Sequence, residues 1–169
     1  MPASRWQPAY VGIGSNLDDP ERQVAHACAA LAALPLCSAL SVSSAYRTAP
    51  MGPQDQPWFV NAVAGMLTQM SALALLDALQ SIELHFGRDR AGERWGPRVI
   101  DLDLLLFGKS RHDSASLQLP HPGLETRNFV LLPLAEIASD ALLPDGRRVG
   151  ALADGLPVNG ISRIGALSW

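Results

Sequence analysis

The chain has 169 residues, of which 48% are hydrophobic and 17% charged, and its formal net charge is −3. This composition excludes a disordered chain, and we expect one domain over residues 1–169. The acidic balance argues against a nucleic-acid or membrane-surface partner. The sequence contains no run of about 18 apolar residues, so we predict no membrane span. Cys28 and Cys37 show no metal or redox spacing, and no apolar leader opens the sequence, so we expect a cytoplasmic protein.

The first part of the chain alternates strand and helix patterns. Residues 9–14 predict a short strand that ends at a glycine. The Asp-Asp pair before Pro20 predicts a helix that begins with a side-chain cap and runs to about Leu34. Val24, Cys28 and Leu31 stack on one face of this helix, so we expect Cys28 to be a small core residue. Residues 39–47 alternate apolar and polar side chains, which predicts one strand with one buried face.

The middle of the chain continues with a loop, a strand and a second long helix. Residues 48–57 contain three prolines and a glycine, which predicts a loop. Residues 59–70 alternate again and predict a strand. A serine at the start of segment 71–86 predicts a capped helix over that range. Gln80 and Glu83 are three positions apart, so we expect them together at the edge of its polar face.

The last part begins with a glycine-rich and arginine-rich loop over residues 87–98, which leads into an apolar strand over 99–107. An extended or turn segment follows at 119–122, then a helix over 127–137 with a proline in its middle, and a turn at 143–147. The resulting order is β-α-β-β-α-β with a C-terminal helical extension. We therefore predict a ferredoxin-like α+β fold, a sheet with helices packed on it.

Two carboxylates on the strand over 99–107 form the first candidate site. Asp101 and Asp103 alternate along the strand, so both project from the same face about 6.6–7 Å apart. The opposite face carries four aliphatic residues that we expect in the core: Ile100, Leu102, Leu104 and Leu106. One interpretation is a polar sheet face bonded to nearby arginines. The other is a Mg²⁺ site, because Mg²⁺ is usually held by one or two carboxylates together with substrate phosphates.

Four arginines crowd into the loop just before this strand: Arg88, Arg90, Arg94 and Arg98. A solvated charged surface is one interpretation of such a run. The other is phosphate binding, since the planar guanidinium grips phosphate oxygens in pairs. His121 and Arg127 add further basic groups downstream. A basic loop beside a carboxylate pair is typical of polyphosphate chemistry.

A third group of residues is suited to a flat polar ring. Phe59 and Asn61 share one face of their predicted strand, and Phe129 begins a later helix. Phenylalanines are commonly core residues, which is the alternative interpretation. An asparagine among apolar strand positions nevertheless needs hydrogen-bond partners, and a ring with amide-like edges would supply them.

These motifs, in this order, resemble the 6-hydroxymethyl-7,8-dihydropterin pyrophosphokinases of folate biosynthesis. The stretches that carry the resemblance are Tyr10–Leu17, Ser44–Pro57, Phe59–Asn61, Gly87–Arg88, Glu93–Leu104, Leu119–Pro122 and Arg127–Phe129. The Arg-Trp-Gly-Pro-Arg run that leads into the paired aspartates is specific to that family. Members transfer pyrophosphate from ATP to the hydroxymethyl group of a dihydropterin and release AMP.

The resemblance implies a role for each candidate residue. Two Mg²⁺ ions would bind Asp101 and Asp103 and bridge the ATP phosphates, with Arg88 and Arg98 as further catalytic residues. The residues implied at the pterin are Thr48, Met51, Phe59, Asn61, Trp95 and Phe129. The residues implied at ATP are Gln80, Glu83, Arg88, Arg98, Leu104, His121 and Arg127. Ser116 and Gln118 stand where some members carry an arginine and a threonine that touch ATP.

Two other functions compete with pyrophosphoryl transfer. A Mg²⁺-dependent phosphohydrolase could use the same carboxylates, and a ferredoxin-like ligand-binding module could have the same fold without catalysis. The second alternative predicts damage at Asp101, Asp103 or Arg98, and all three are present. We expect a monomer that acts on small molecules, with no nucleic-acid or membrane partner.

Overall fold

A computed structural model describes residues 5–87 and 99–169. Its elements, in chain order, are β1 (Gln7–Ser15), α1 (Pro20–Ala32), β2 (Cys37–Val42), β3 (Ala45–Thr48), β4 (Phe59–Thr68), α2 (Ala72–His85), β5 (Asp101–Phe107), β6 (His112–Asp113), β7 (Gln118–Leu119), α3 (Asn128–Ala138), α4 (Val149–Asp154) and β8 (Ile161–Gly165). The predicted loop over 87–98 lies outside the described residues except for Gly87.

Six strands of the described residues form one antiparallel sheet, in the order β5-β1-β4-β3-β8 with β2 also paired to β4. β2 and β3 pair with successive parts of β4, at residues 64–68 and 59–61 respectively. They therefore act as one interrupted strand. Counted in this way, the order up to β5 is β-α-β-β-α-β, and the predicted ferredoxin-like α+β fold is confirmed.

Helices cover both faces of this sheet. α1 and α2 pack on one face, where Cys28 and Leu79 belong to the same buried cluster as Val11 of β1. Burial raises the pKa of the Cys28 thiol to about 12, as expected for a cysteine in the core. α3 and α4 pack on the other face, where Leu134 and Val149 share a second cluster.

The predicted strand over 39–47 is wrong in one respect, because it is interrupted at Ser43 and Ser44. The Ser43 hydroxyl accepts a hydrogen bond from the backbone N–H of Val63 at 2.9 Å and donates to the carbonyl of Ser44 at 2.8 Å. A side chain thus takes a place that a backbone carbonyl holds in a regular ladder. The break separates β2 from β3.

The helix starts differ from each other. Ser71 caps α2 as predicted, since its hydroxyl accepts from the backbone N–H of Ala74 at 3.1 Å. The predicted side-chain cap of α1 is wrong: Asp19 makes no capping hydrogen bond and its φ is 64°, in the left-handed region. α1 also ends at Ala32, two residues before the predicted Leu34.

A bulge in β5 changes the face to which one predicted core residue belongs. Tyr10 pairs with Leu106, but the next residue of β1, Val11, pairs with Leu104. Leu105 is therefore the extra residue, and the alternation shifts by one position there. Leu106 is buried as predicted, but it packs in the cluster under α3 and α4 rather than with Leu104.

The C-terminal region is only partly the helical extension that was predicted. The turn at 143–147 is present, and α4 follows it over Val149–Asp154. The chain then forms a further strand, β8, which pairs with β3 at the edge of the sheet. Within residues 5–87 and 99–169, no helix has the length and apolarity needed to cross a bilayer.

Candidate active site

An open cavity lies on the α3 side of the sheet. Its lining residues are Gly12, Ile13, Gly14, Thr48, Ala49, Met51, Phe59, Asn61, Ala62, Asp101, Asp103, Arg127, Phe129 and Val130. Eight of these are candidate residues from the sequence: Thr48, Met51, Phe59, Asn61, Asp101, Asp103, Arg127 and Phe129. The fold thus brings the aromatic and amide group together with the carboxylate pair.

Two glycines of β1 form the floor of the cavity. Gly12 lies opposite Asp103 on β5, and Gly14 lies between Asp101 on β5 and Asn61 on β4. A Cβ atom on Gly14 would lie 2.7 Å from the Asn61 side-chain oxygen, so a larger residue would displace that amide. Sequence reasoning missed this role, although two glycines at alternate strand positions are a signal of close approach by a ligand or another group.

The wall on the β3–β4 side presents an amide and a phenyl ring. The Asn61 side-chain N–H donates to the Thr48 hydroxyl at 2.7 Å, which fixes the orientation of the amide. Phe59 precedes Asn61 on the same face of β4 and pairs with Thr48 in the register. Met51 lies in the adjoining loop and is 51% exposed. The wall therefore offers an apolar surface beside oriented hydrogen-bonding groups.

The opposite wall is the first turn of α3. Arg127 is the residue before the helix, as predicted within one position, and its guanidinium carbon lies 5.9 Å from the centre of the Phe129 ring. This distance is within the range of a cation–π contact. Gly123 lies so close to the Arg127 side chain that a Cβ there would overlap it. The Arg127 side chain therefore lies between the Phe129 ring and the backbone of Gly123.

The aspartates lie where the sequence placed them, on one face of β5 and half-buried at the cavity. Among the described residues, no group of three or more His, Cys, Asp or Glu side chains could hold a metal ion. A pair of carboxylates at an open cavity fits Mg²⁺, because this ion takes few protein ligands and completes its shell with water and phosphate oxygens.

His121 lies beside this pair. Its Nε2 is 4.0 Å from a carboxylate oxygen of Asp103, while its Nδ1 accepts from the backbone N–H of Gly123 at 3.0 Å. The accepting Nδ1 carries no proton, so the proton of the neutral ring is on Nε2 and faces the carboxylate. Burial lowers the pKa of His121 and the charge of Arg127 lowers it further, while Asp101 opposes them. At neutral pH the ring is therefore an uncharged donor.

Three of the residues implied at ATP lie on the other side of β5. Leu104 is 3% exposed and packs in the cluster under α1 and α2. The predicted polar-face position of Glu83 is wrong, because this residue of α2 is also only 3% exposed, whereas Gln80 is half-buried. Their contacts with ATP stay predictions. Arg88, Trp95 and Arg98 lie outside the described residues.

The sequence is similar to a known protein family and to named bacterial proteins. The model of the 7,8-dihydro-6-hydroxymethylpterin-pyrophosphokinase (HPPK) family matches residues 10–139. Two bacterial relatives are each named 2-amino-4-hydroxy-6-hydroxymethyldihydropteridine pyrophosphokinase. The one from Pseudomonas aeruginosa is 48% identical over 158 residues, which cover 94% of this chain and 97% of the relative. The one from Haemophilus influenzae is 45% identical over 144 residues, which cover 85% and 89%.

Solved structures share the fold at low sequence identity. A crystal structure of the Plasmodium falciparum HPPK-DHPS A437G with STZ-DHP has a TM-score of 0.69 at 12% identity, covering 91% of this chain and 46% of that chain. An HPPK-DHPS in complex with substrates has a TM-score of 0.73 at 12% identity, covering 97% and 49%. This chain spans about half the length of those two, and the likeness supports the fold alone. By the family match and the identities to its relatives, the chain belongs to the 7,8-dihydro-6-hydroxymethylpterin-pyrophosphokinase family.

Proposed function

We propose that this chain transfers the terminal pyrophosphoryl group of ATP to the hydroxymethyl group of 6-hydroxymethyl-7,8-dihydropterin. The hydroxymethyl oxygen attacks the β-phosphorus and releases its proton, the bond from that phosphorus to the oxygen bridging to the α-phosphorus breaks, and AMP leaves with that oxygen. The observation that carries the proposal is the cavity itself. In it, aromatic and amide side chains lie beside two carboxylates, and this arrangement supports a transfer between a heterocyclic alcohol and a polyphosphate.

The pterin is assigned to the space between the two walls. Phe59 and Phe129 are proposed to stack on the ring faces, since aromatic pairs favour offset stacking. The Asn61 amide, oriented by Thr48, is proposed to bind the polar edge of the ring, with Met51 covering its open side. Trp95 is also proposed to contact the pterin, on the basis of the family resemblance alone.

The phosphates are assigned to the carboxylate side of the cavity. Asp101 and Asp103 are proposed to hold two Mg²⁺ ions, which when bound would neutralise the polyphosphate and align its β-phosphorus. The two residues would therefore hold the ions and, through them, the phosphate chain beside the glycine floor. The uncharged Nε2–H of His121 and the Arg127 guanidinium are proposed to donate to phosphate oxygens from the adjoining wall.

The remaining nucleotide contacts are proposed around β5, which is an edge strand of the sheet formed by the described residues. With its phosphates at the aspartates, ATP would extend past this edge to Gln80, Glu83 and the region of Leu104. Arg88 and Arg98 are proposed, from the family resemblance, to stabilise charge that develops on the transferred group. A monomer in the cytoplasm remains our prediction.

An AMP-release assay with single omissions tests the proposal. AMP and the pterin pyrophosphate should form in equal amounts, and only when ATP, Mg²⁺ and the pterin alcohol are all present. Phosphate release without the pterin would indicate the phosphohydrolase. Ligand binding without any turnover would indicate the non-catalytic module.

A further inference from the structure

The segment 157–161, which follows α4 and ends at the first residue of β8, contacts both walls of the cavity. The side-chain amide of Asn128 donates to the carbonyl oxygens of Pro157 at 3.0 Å and Asn159 at 3.1 Å. The next carbonyl along the chain, that of Gly160, accepts from the backbone N–H of Ala49 at 2.9 Å. Two consecutive residues of one short segment therefore bind two different elements.

Those two elements are the ones that bear the pterin-binding groups. Asn128 lies between Arg127 and Phe129, which both line the cavity. Ala49 lines the opposite wall, next to Thr48, which orients the Asn61 amide. The hydrogen bonds from the segment therefore tie the first turn of α3 to the end of β3.

The backbone of the segment depends on one glycine. Gly160 has a φ of +70°, in the left-handed region, and a Cβ there would lie 3.5 Å from the Cβ of Ala49. A larger residue would fit the space but would strain the backbone. From Ile161 onward the chain continues as β8, with Ile161 paired to Thr48, so the segment is fixed to the β3 wall in register.

We infer that segment 157–161 is a brace that sets the distance between the two walls, and that Asn128 is a positioning residue for the pterin. The inference rests on the proposed function. A flat ring held between two aromatic side chains requires a fixed spacing of those side chains, because stacking weakens as the gap widens. Asn128 fixes the Phe129 side of the gap through its two hydrogen bonds to the brace.

The other end of the same helix provides a matched control. Arg163 of β8 donates to the Ser44 hydroxyl at 2.9 Å and to the Glu136 carboxylate at 3.1 Å. This link also ties the C-terminal strand to α3, but none of its three residues lines the cavity. Breaking either link should therefore lower the stability of the fold, whereas only a substitution of Asn128 should lower the affinity for the pterin.

The test compares Asn128→Ala, Asn128→Asp and Arg163→Gln with the parent chain. Asn128→Asp keeps the size of the side chain, removes its N–H donors, and places a negative charge at a helix start, where it is favourable. Calorimetric titration with the pterin alcohol, with Mg²⁺ and a non-hydrolysable ATP analogue present, gives the Kd. We expect both Asn128 variants to raise the pterin Kd and KM about 5–10-fold, as the loss of one or two hydrogen bonds implies.

In the same variants kcat should fall less than about threefold, and the analogue itself should bind as in the parent. Arg163→Gln should lower the Tm and leave the pterin Kd unchanged. An unchanged pterin Kd in both Asn128 variants, or an equal rise in Arg163→Gln, would overturn the brace. Failure of the parent chain to bind the pterin would overturn the proposed function, and the brace with it.

Discussion

The two faces of the sheet are covered to different extents. On the α1–α2 face, an apolar cluster extends from Ala9 at one end of β1 to Ile13 near the other. On the α3–α4 face, helices cover Tyr10 and Leu106. The next residues of the two strands on that face line the cavity instead: Gly12 and Gly14 of β1, and Asp103 and Asp101 of β5. The same two strands thus carry core at one end and a candidate site at the other.

This difference separates stability from binding. Burying ionisable groups costs free energy unless they are paired, so a sheet that served stability alone would carry its apolar pattern back to the first residues of β5. The two aspartates and the glycine floor interrupt that pattern. Substitutions on the closed face should therefore change the free energy of unfolding, whereas substitutions at the cavity should change ligand binding.

The largest change in unfolding free energy is expected for Leu79→Ala. Leu79 on α2 is fully buried in the closed-face cluster, and removing its side chain leaves a cavity. We expect a loss of about 2–5 kcal/mol in denaturant unfolding. Leu84→Ala on the same helix is the control, because Leu84 is 56% exposed and should change stability by less than about 0.5 kcal/mol. Equal losses would mean that the closed face does not carry the stability.

A smaller effect is expected at the covered end of the open face, for Glu136→Gln. Burial opposes ionisation of Glu136, but hydrogen bonds from Ser44 and Tyr46 and the charge of Arg163 outweigh it and lower its pKa from 4.5. We expect a loss of about 2 kcal/mol at pH 7, because a charged acceptor is removed. The lowered pKa stabilises the fold above about pH 4.5, and this contribution is lost as the pH falls through the folded value.

Chemical unfolding at a series of pH values measures this effect. The difference between the parent and Glu136→Gln should shrink as the pH falls below about 4.5, the ordinary value of the group. A difference that stays constant from pH 7 to pH 3 would show that the charge of Glu136 does not matter.

At the cavity, Phe59→Ala should change the affinity for the ligand. We expect pterin binding to weaken by roughly 1–2 kcal/mol through lost stacking and burial, with ATP affinity nearly unchanged. Trp58→Ala is the matched control, because this neighbouring aromatic is 44% exposed and does not line the cavity. Titration with each ligand decides the matter. Equal losses for the pterin and ATP would contradict the assignment of Phe59 to the pterin wall.

Much of this arrangement could be predicted from local patterns. The alternation of Asp101 and Asp103 placed both on one face, and the start of α2 at Ser71 followed from its capping chemistry. Phe59, Asn61 and Phe129 were assigned to one group because aromatic and amide side chains suit a polar ring. The first two predictions depend on a few neighbouring residues. The third depends on side-chain chemistry; the three residues do line one cavity, and their contact with a ring stays a prediction.

The features that were missed depend on contacts between distant residues. The bulge at Leu105 depends on the pairing of β5 with β1. The burial of Glu83 depends on how α2 lies on the sheet, and β8 is a mostly exposed edge strand without a clear alternation of apolar residues. The role of Asn128 depends on a segment 29 to 31 positions further along the chain. No local pattern contains this information.

We expect the open end of the sheet to bind ligand and to contribute little to stability, and Asp103→Asn tests this expectation. At the spacing of alternate strand residues, about 7 Å, repulsion between two carboxylates costs at most roughly 2 kcal/mol at an effective dielectric near 20, and water reduces this cost. The nearly isosteric asparagine removes this repulsion, so the ligand-free protein should be unchanged or slightly more stable. Asp154→Asn, at an exposed position on α4, is the matched control.

The most direct measurement is the Tm of the parent, Asp103→Asn and Asp154→Asn with and without Mg²⁺–ATP. In the parent and Asp154→Asn the ligand should raise the Tm, because it binds the folded state. In Asp103→Asn we expect an unchanged or higher Tm without ligand and no rise with it. A ligand-free Asp103→Asn protein that is destabilised and still gains Tm with Mg²⁺–ATP would contradict the account, because Asp103 would then serve the fold rather than the ligand.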